Sequence, residues 1–180
     1  MTPPRSKTRR PGIPAVAALI AITLSGCTPT PEPTPSPTPA FASEEEAFAA
    51  AEKVYRAYMA AFNDVDFRLP TTFEPLSGYT AGSYERDERE LLSQMHAAQH
   101  VRGGAIEIIE FSGVEVTEHG EVFATTCNDV SSTTYLDEEG RNLVPADRAA
   151  RYALELVFSL DETGLRLTEA TTAEDPSCAE

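Results

Sequence analysis

Residues 148–160 read RAARYALELVFSL and carry the clearest strand pattern in the chain. Large apolar side chains recur here at every second position, and this rhythm is typical of a β-strand with one buried face. We therefore predict a strand over these residues, with its inward face in a hydrophobic core. The inward side chains are those of Tyr152, Leu154, Leu156, Phe158 and Leu160.

Three further segments have a strand pattern, at residues 105–117, 121–136 and 165–171. The first changes its apolar phase midway, which predicts a bulge near residues 112–113. The sequence DEEG at 137–140 is typical of a hairpin turn. Short strands separated by turns predict an antiparallel meander.

Two helices are predicted before these strands. Residues 44–63 repeat apolar side chains at helical spacing, and Ser43 begins a capping box. A second helix is predicted over residues 83–101, with Ser83 as its N-cap. Residues 65–82 contain two prolines and two glycines, which favours an irregular, partly buried segment. Helices followed by an antiparallel meander predict an α+β fold.

Residues 1–26 have the parts of an export signal: a basic start and an apolar run too short to span a bilayer. The sequence LSGC at 24–27 resembles the lipobox of bacterial lipoproteins. The resemblance implies that Cys27 becomes the new N-terminus and carries a diacylglyceryl lipid, with acyl chains such as palmitate. The lipid would hold the protein on the outer face of the bacterial cell membrane. The alternative is an ordinary secretory signal followed by a chance cysteine.

Residues 27–40 form the predicted tether, in which proline alternates with threonine, serine and glutamate. Alternating proline excludes helix and sheet, so we predict an extended polyproline II spacer of roughly 40 Å. Its threonines and serines are also possible sites of O-linked sugar. The remaining residues, 41–180, are the predicted globular domain.

Charge excludes one class of partner. Cleavage before Cys27 removes four of the 14 basic residues and no acidic one, so ten basic against 29 acidic residues give a net charge of −19. Such a chain is repelled by nucleic acid, and a nucleic-acid role is excluded.

Two cysteines remain after lipidation, Cys127 and Cys178. An even number outside the cytoplasm predicts one disulfide. It would close a loop of about 50 residues and stabilise the fold by on the order of 4 kcal/mol. The alternative, a two-cysteine metal site, lacks nearby partner ligands and any CxxC motif.

The chain resembles the NTF2-like (SnoaL-like) superfamily, and more closely the lipoproteins of actinobacteria that have this fold. The lipobox, the tether, the order of elements and several short segments carry the resemblance. It implies a cone, in which N-terminal helices pack on a strongly curved, mostly antiparallel sheet. The short segments are ER at 85–86, MHA at 95–97, CNDVS at 127–131 and the 137–140 turn before VP at 144–145.

Enzymes of this superfamily use the cone interior, but no acid–base pair here matches theirs position by position, so no catalytic residue is assigned. Tyr55, Tyr58, Met95 and His96 are candidates to line a cavity. The alternative is that they pack in the core, with His96 at its rim. His96 and His100 are spaced to share one helix face, yet without a third ligand they predict no metal or cofactor site.

These observations predict a non-enzymatic, membrane-anchored domain that binds a protein or another component of the cell envelope. One alternative is small-molecule binding, or SnoaL-like isomerase or hydratase activity, in the cone. A further alternative is a homodimer formed through an exposed sheet face.

Replacing Cys27 by serine tests the anchor. Because the lipid is attached to this thiol, Cys27→Ser should leave uncleaved, unlipidated precursor, as measured by gel mobility and by labelling cells with an alkyne fatty acid. Cys178→Ser, which leaves the lipobox intact, is the control and should be labelled like the wild type. Normal fatty-acid labelling of Cys27→Ser would contradict the prediction.

Overall fold

A computed structural model describes residues 40–175 and 177–178, and the predicted signal, Cys27 and nearly all of the tether lie outside them. The described chain begins with α1 (Glu44–Asn63) and α2 (Gly82–Ala97), which are joined through two 3-10 turns, Pro70–Thr72 and Glu74–Gly78. Within the described residues, no helix is long and apolar enough to cross a membrane. The strands are β1 (Val101–Gly103), β2 (Glu107–Val116), β3 (Val122–Asp129), β4 (Thr134–Leu136), β5 (Arg151–Asp161) and β6 (Gly164–Ala173).

The main sheet is antiparallel and has the strand order β2-β3-β5-β6, while β1 pairs with β4 in a separate two-stranded sheet. Helix α1 packs against β2, β3 and β6, and α2 packs against β6. The predicted α+β fold is confirmed: the N-terminal helices pack on one face of an antiparallel sheet, as in an NTF2-like cone.

Helix α1 begins as predicted, because the Ser43 hydroxyl accepts a hydrogen bond of 3.2 Å from the Glu46 amide. Its inward face carries Ala47 and Ala51, which are fully buried. Small side chains allow the helix to lie close to the sheet. The approach is closest at β2, where a Cβ on Gly113 would lie 2.2 Å from Cγ of Phe48. Glycine is therefore required by the ring above it.

Strand β5 has the predicted inward phase, with Leu156 and Phe158 completely buried beneath the helices. In the register with β3, Phe158 lies opposite Val122, which is the first residue of that strand. Leu160 lies beyond this point, and its side chain is 45% exposed. Leu160 continues the predicted phase but is left exposed, because no β3 residue lies beside it.

Helix α2 differs from its prediction at both ends. It begins at Gly82, and the Ser83 hydroxyl donates to the carbonyl of Thr168 in β6 and does not cap the helix. It ends at Ala97 and not at residue 101, because Gln99 adopts a left-handed conformation with φ of 53° and Val101 enters β1. A left-handed residue cannot continue a right-handed helix.

The strands also differ in detail. The register of β2 shifts at Ile109 and at Val114, so the strand has two irregularities where one was predicted. The predicted strand over residues 121–136 is divided into β3 and β4 by a turn, in which the Thr133 amide donates to the Val130 carbonyl at 2.9 Å. Bulges and turns of this kind bend a sheet around the helices it carries.

The predicted disulfide joins Cys127 of β3 to Cys178 near the C-terminus, with 5.5 Å between the Cα atoms. Both cysteines are buried and pack with Ala153 of β5 on the face of the sheet opposite the helices. The bond attaches the C-terminal segment to the sheet across 51 residues of sequence.

Gly113→Ala should destabilise the fold, because its methyl group would overlap the ring of Phe48. Overpacking of this kind costs about 1–3 kcal/mol. The measurement is urea-induced unfolding followed by circular dichroism. Gly78→Ala is the matched control, since no atom lies within 4 Å of the added Cβ, and it should change the unfolding free energy by less than about 0.5 kcal/mol. If Gly113→Ala and Gly78→Ala lowered the unfolding free energy equally, the close approach of Phe48 to Gly113 would be contradicted.

Candidate functional site

The interior between α1 and the sheet is filled by side chains. Tyr55 and Tyr58, two of the predicted cavity residues, are 2% and 3% exposed, and their rings lie 6.2 Å apart. The Tyr55 hydroxyl accepts a hydrogen bond of 2.9 Å from the amide of Asn128 in β3, which is fully buried. Phe111 of β2 packs 5.9 Å from the Tyr55 ring. The structure therefore places both tyrosines inside the core.

Met95 and His96 are half-buried at the end of α2. The Nδ1 atom of His96 lies 2.8 Å from the carbonyl oxygen of Phe67, so Nδ1 carries the proton and donates it. His100 lies beyond the helix end, with Nδ1 3.1 Å from the Met95 sulfur. The two histidines do not share a helix face. Within the described residues, no group of three His, Cys, Asp or Glu side chains could hold a metal ion.

A buried carboxylate lies on the inward face of α2. Glu88 is only 8% exposed, and its Oε1 accepts a hydrogen bond of 2.7 Å from the Tyr58 hydroxyl. Its Oε2 accepts one of 3.2 Å from Thr80, which is fully buried. Since Tyr58 donates to Glu88, the Tyr84 hydroxyl, 2.8 Å away, donates to Tyr58. The four side chains form one chain of hydrogen bonds, which we call the Glu88 cluster.

The acidities within the Glu88 cluster follow from burial. Burial raises the pKa of Glu88 above its usual range, against hydrogen bonds from Tyr58 and Thr80 that lower it. Burial also raises the pKa of Tyr84 to about 12 and the pKa of Tyr58 well above its usual value. Both phenols therefore keep their protons at neutral pH and act as donors.

A cavity of about 320 Å³ opens beside the Glu88 cluster, between α2 and the two 3-10 turns. Its buried lining residues, Leu76, Glu88 and Leu92, form the floor. Phe73 is half-buried at its side. The remaining lining residues are Pro70, Glu74, Ser77, Glu85 and Arg89. We call this space the lateral cavity.

Neither the Glu88 cluster nor the lateral cavity was predicted from the sequence. Glu88 stands four residues before Leu92, which belongs to the buried face of α2, so helical periodicity alone places an acid on an apolar face and could have indicated the buried carboxylate. The other wall comes from the turns at residues 70–78, whose conformation has no periodicity from which to predict it.

The face of the sheet opposite the helices is a second candidate surface. Strand residues alternate between faces, so Phe123 and Val157 lie on the opposite side from the buried core. The register sets Glu115, Phe123, Val157 and Glu169 side by side across four strands. Glu155 lies diagonally next to this row. We call this area the outer sheet face.

The outer sheet face is concave near its centre. A depression of about 380 Å³ is lined there by Phe123, Val157 and the bulged Val114, which is 61% exposed. Glu155 and Glu169 also line it. Within the described part of the chain, no ion pair reaches Glu115, Glu155 or Glu169, so an apolar centre is surrounded by unpaired carboxylates.

The chain matches no protein-family model, and no curated protein is significantly similar to it. Among solved structures it resembles the intermembrane space region of the chloroplast protein ARC6, with 14% identity and a TM-score of 0.54, over 71% of this chain and 97% of that one. A candidate polyketide cyclase from Xanthomonas campestris pv. campestris shares 12% identity, with a TM-score of 0.39, over 73% and 94%. At 14% identity, the likeness to ARC6 concerns the fold alone. The TM-score of 0.39 for the second structure is too low to support a further inference.

Glu88→Gln should change how stability depends on pH. Because the folded protein holds the Glu88 proton more tightly than the unfolded chain does, this residue makes stability fall as pH rises from about 4.3 through its raised folded pKa. The amide keeps an acceptor for Tyr58 and cannot ionise, so the variant should lack this fall and be at least as stable as the wild type at neutral pH. The measurement is urea unfolding across pH.

Glu90→Gln is the matched control, since it removes an exposed carboxylate on the same helix, outside the lateral cavity. It should keep the fall in stability seen in the wild type. If the unfolding free energies of the wild type and Glu88→Gln differed by the same amount at every pH, the prediction would be contradicted.

Proposed function

We propose that this chain is an actinobacterial-type lipoprotein, anchored through Cys27 to the outer face of the cell membrane, whose domain binds a protein partner of the envelope. The sequence LSGC at 24–27 and the proline-rich segment at 28–40 support the anchor. The disulfide between Cys127 and Cys178 supports an oxidising compartment, because such bonds persist outside the cytoplasm.

The outer sheet face is the feature of the structure that supports the proposal of partner binding. An exposed apolar patch with a charged rim is the usual composition of an interaction surface. Here the apolar centre is Val114, Phe123 and Val157, and the charged residues that line it or share its register row are Glu115, Glu155 and Glu169. A partner with apolar side chains and surrounding lysines or arginines complements both features. We therefore propose a basic partner.

A homodimer through the same face is less favourable. In a two-fold dimer the same patch meets itself, so the acidic row of Glu115, Glu155 and Glu169 in one copy would face the acidic row of the other. Like charges brought together at an interface cost several kcal/mol. The chain as a whole is also strongly acidic, with 29 acidic against 14 basic residues. Charge therefore favours a different, basic chain over a second copy.

A second candidate function is small-molecule binding, favoured by the Glu88 cluster. Its site would be the lateral cavity and not the cone interior, because Tyr55 and Tyr58 fill the interior. An isomerase or hydratase would need a base that reaches its substrate. The hydrogen bonds from Tyr58 and Thr80 stabilise the ionised form of Glu88 and leave further acceptor sites open, so we take ligand binding and not proton transfer as this second candidate function.

Photocrosslinking in cells tests the basic partner. A photoreactive residue at Val114, on the outer sheet face, should capture a partner, and one at Leu91, which is 43% exposed on α2, should not. The captured segment, mapped by mass spectrometry, should be rich in lysine or arginine. The double change Glu155→Lys and Glu169→Lys should reduce the yield at least about tenfold, because it makes both surfaces positive.

Glu90→Lys, an exposed change on α2, is the charge control and should leave the yield unchanged. Three results would overturn the proposal: no capture at Val114, capture that survives the double charge reversal, or a product of two copies of this chain. The last result would identify a homodimer.

A further inference from the structure

We propose that the lateral cavity binds a small organic ammonium ion, with the cationic nitrogen at the Glu88 carboxylate and an apolar body against Phe73, Leu76 and Leu92. This inference rests on the second candidate function and names its ligand class. It is independent of partner binding, because the lateral cavity and the outer sheet face lie on opposite sides of the sheet.

The charge of Glu88 has no cationic partner within the described residues. Its two hydrogen-bond donors, Tyr58 and Thr80, are neutral hydroxyls. A carboxylate offers about four acceptor sites, and two are used here. Buried charges in proteins are usually paired with an opposite charge. Glu88 therefore has both the free acceptor capacity and the uncompensated charge that a cationic ligand would satisfy.

The rim of the lateral cavity favours the same sign of charge. Glu74 and Glu85 lie there beside Arg89, whose guanidinium is paired with Glu85. With Glu88, the lining carries three carboxylates and one guanidinium, and this balance repels anions. A cation entering the cavity meets an attractive field at the rim and a carboxylate at the floor.

The floor distinguishes an organic cation from a metal ion. Hard cations require about six oxygen ligands, whereas the buried and half-buried side chains that line the cavity around Glu88 include those of Leu76, Leu92 and Phe73. A ligand with a hydrocarbon body buries that apolar surface. The volume of about 320 Å³ lies near the lower end of small-molecule sites, which span about 300–1,000 Å³. A ligand about the size of one ring fits this space.

The test uses benzylamine as the probe, with the neutral benzyl alcohol and the anionic benzoate as matched compounds. Binding to the full chain in detergent micelles is measured by calorimetry and by the carboxyl NMR signal of Glu88. Benzylamine should bind at least about tenfold more tightly than benzyl alcohol, the scale expected for a buried charge pair. Benzoate should not bind. The Glu88 signal should shift on binding benzylamine.

Variants separate the buried carboxylate from a surface charge on the same helix. Glu88→Gln should weaken benzylamine binding at least about tenfold and abolish its preference over benzyl alcohol. Glu90→Gln, which removes an exposed carboxylate of α2 outside the cavity lining, should change the affinity by less than about threefold. Phe73→Ala should weaken benzylamine and benzyl alcohol alike, because it removes apolar contact and no charge.

The pH dependence of the wild type tests the proposal even if Glu88→Gln fails to fold. Benzylamine stays protonated, so its affinity should rise as Glu88 ionises and then level off. Glu90→Gln, which is outside the cavity lining, should keep this profile. Within the described residues, the other titratable or charged groups around Glu88 are Tyr58, Tyr84, Glu74, Glu85, Arg89 and, beside Thr80, Arg166 of β6.

Equal affinities for benzylamine and benzyl alcohol would overturn the proposal. A pH-independent affinity, or absence of benzylamine binding, would do the same. These results would not affect the proposal that the outer sheet face binds a partner, since crosslinking at Val114 does not depend on Glu88. Failure of the ligand proposal and failure of partner binding are thus distinguishable.

Discussion

The close packing of α1 on the sheet is the constraint on which the remaining structure depends. Ala47 and Ala51 present almost no side chain to the sheet, and Phe48 lies directly over Gly113. At this distance the aromatic side chains behind them must fill the interior completely, and Tyr55 does so with a hydrogen bond from Asn128. A fold of this kind has room for a ligand in its interior only if its helices lie further from the sheet. Here the space for binding therefore lies outside the filled layer, beside α2 and on the outer sheet face.

The two candidate surfaces use carboxylates in physically different ways. Glu88 is removed from water, so its charge is weakly screened and acts on a group that touches it. Glu115, Glu155 and Glu169 stand in solvent, where each contributes little alone but together they would attract the proposed basic partner and orient it on the sheet. A small cation is suited to the first environment, and an extended basic surface to the second. Neither surface would serve the other's ligand, because a polypeptide does not fit the lateral cavity and a lone ammonium ion gains little on an open sheet.

The features that could be predicted from the sequence are those set by local pattern or by cysteine number. The hydrogen bond from the Glu46 amide to the Ser43 hydroxyl, the inward phase that includes Leu156 and Phe158, and the pairing of Cys127 with Cys178 were found as expected. The other half of the predicted capping box differs, because the Glu46 carboxylate accepts from the Ala42 amide. The errors lie where local pattern gives way to tertiary contact, as at Ser83, whose hydroxyl bonds to β6, and at Gln99, which ends α2 early. The lateral cavity could not be predicted for the same reason. One wall is a helix whose buried acid the periodicity does reveal, but the other is a pair of 3-10 turns placed by contacts distant in sequence.

The filled interior also determines how the two surfaces relate to one another. Between the lateral cavity and the outer sheet face lie Tyr58 and the packed layer of Leu156 and Phe158, all buried. Close-packed layers resist gradual deformation, and sites that share no partner usually respond independently to substitution. The Glu88 cluster reaches β6 through Thr80, which forms a bridge to Leu167, and through α2, which packs on that strand. Strand β6 also carries Glu169 of the outer sheet face. If the two activities prove to be linked, this shared strand offers a physical route between them.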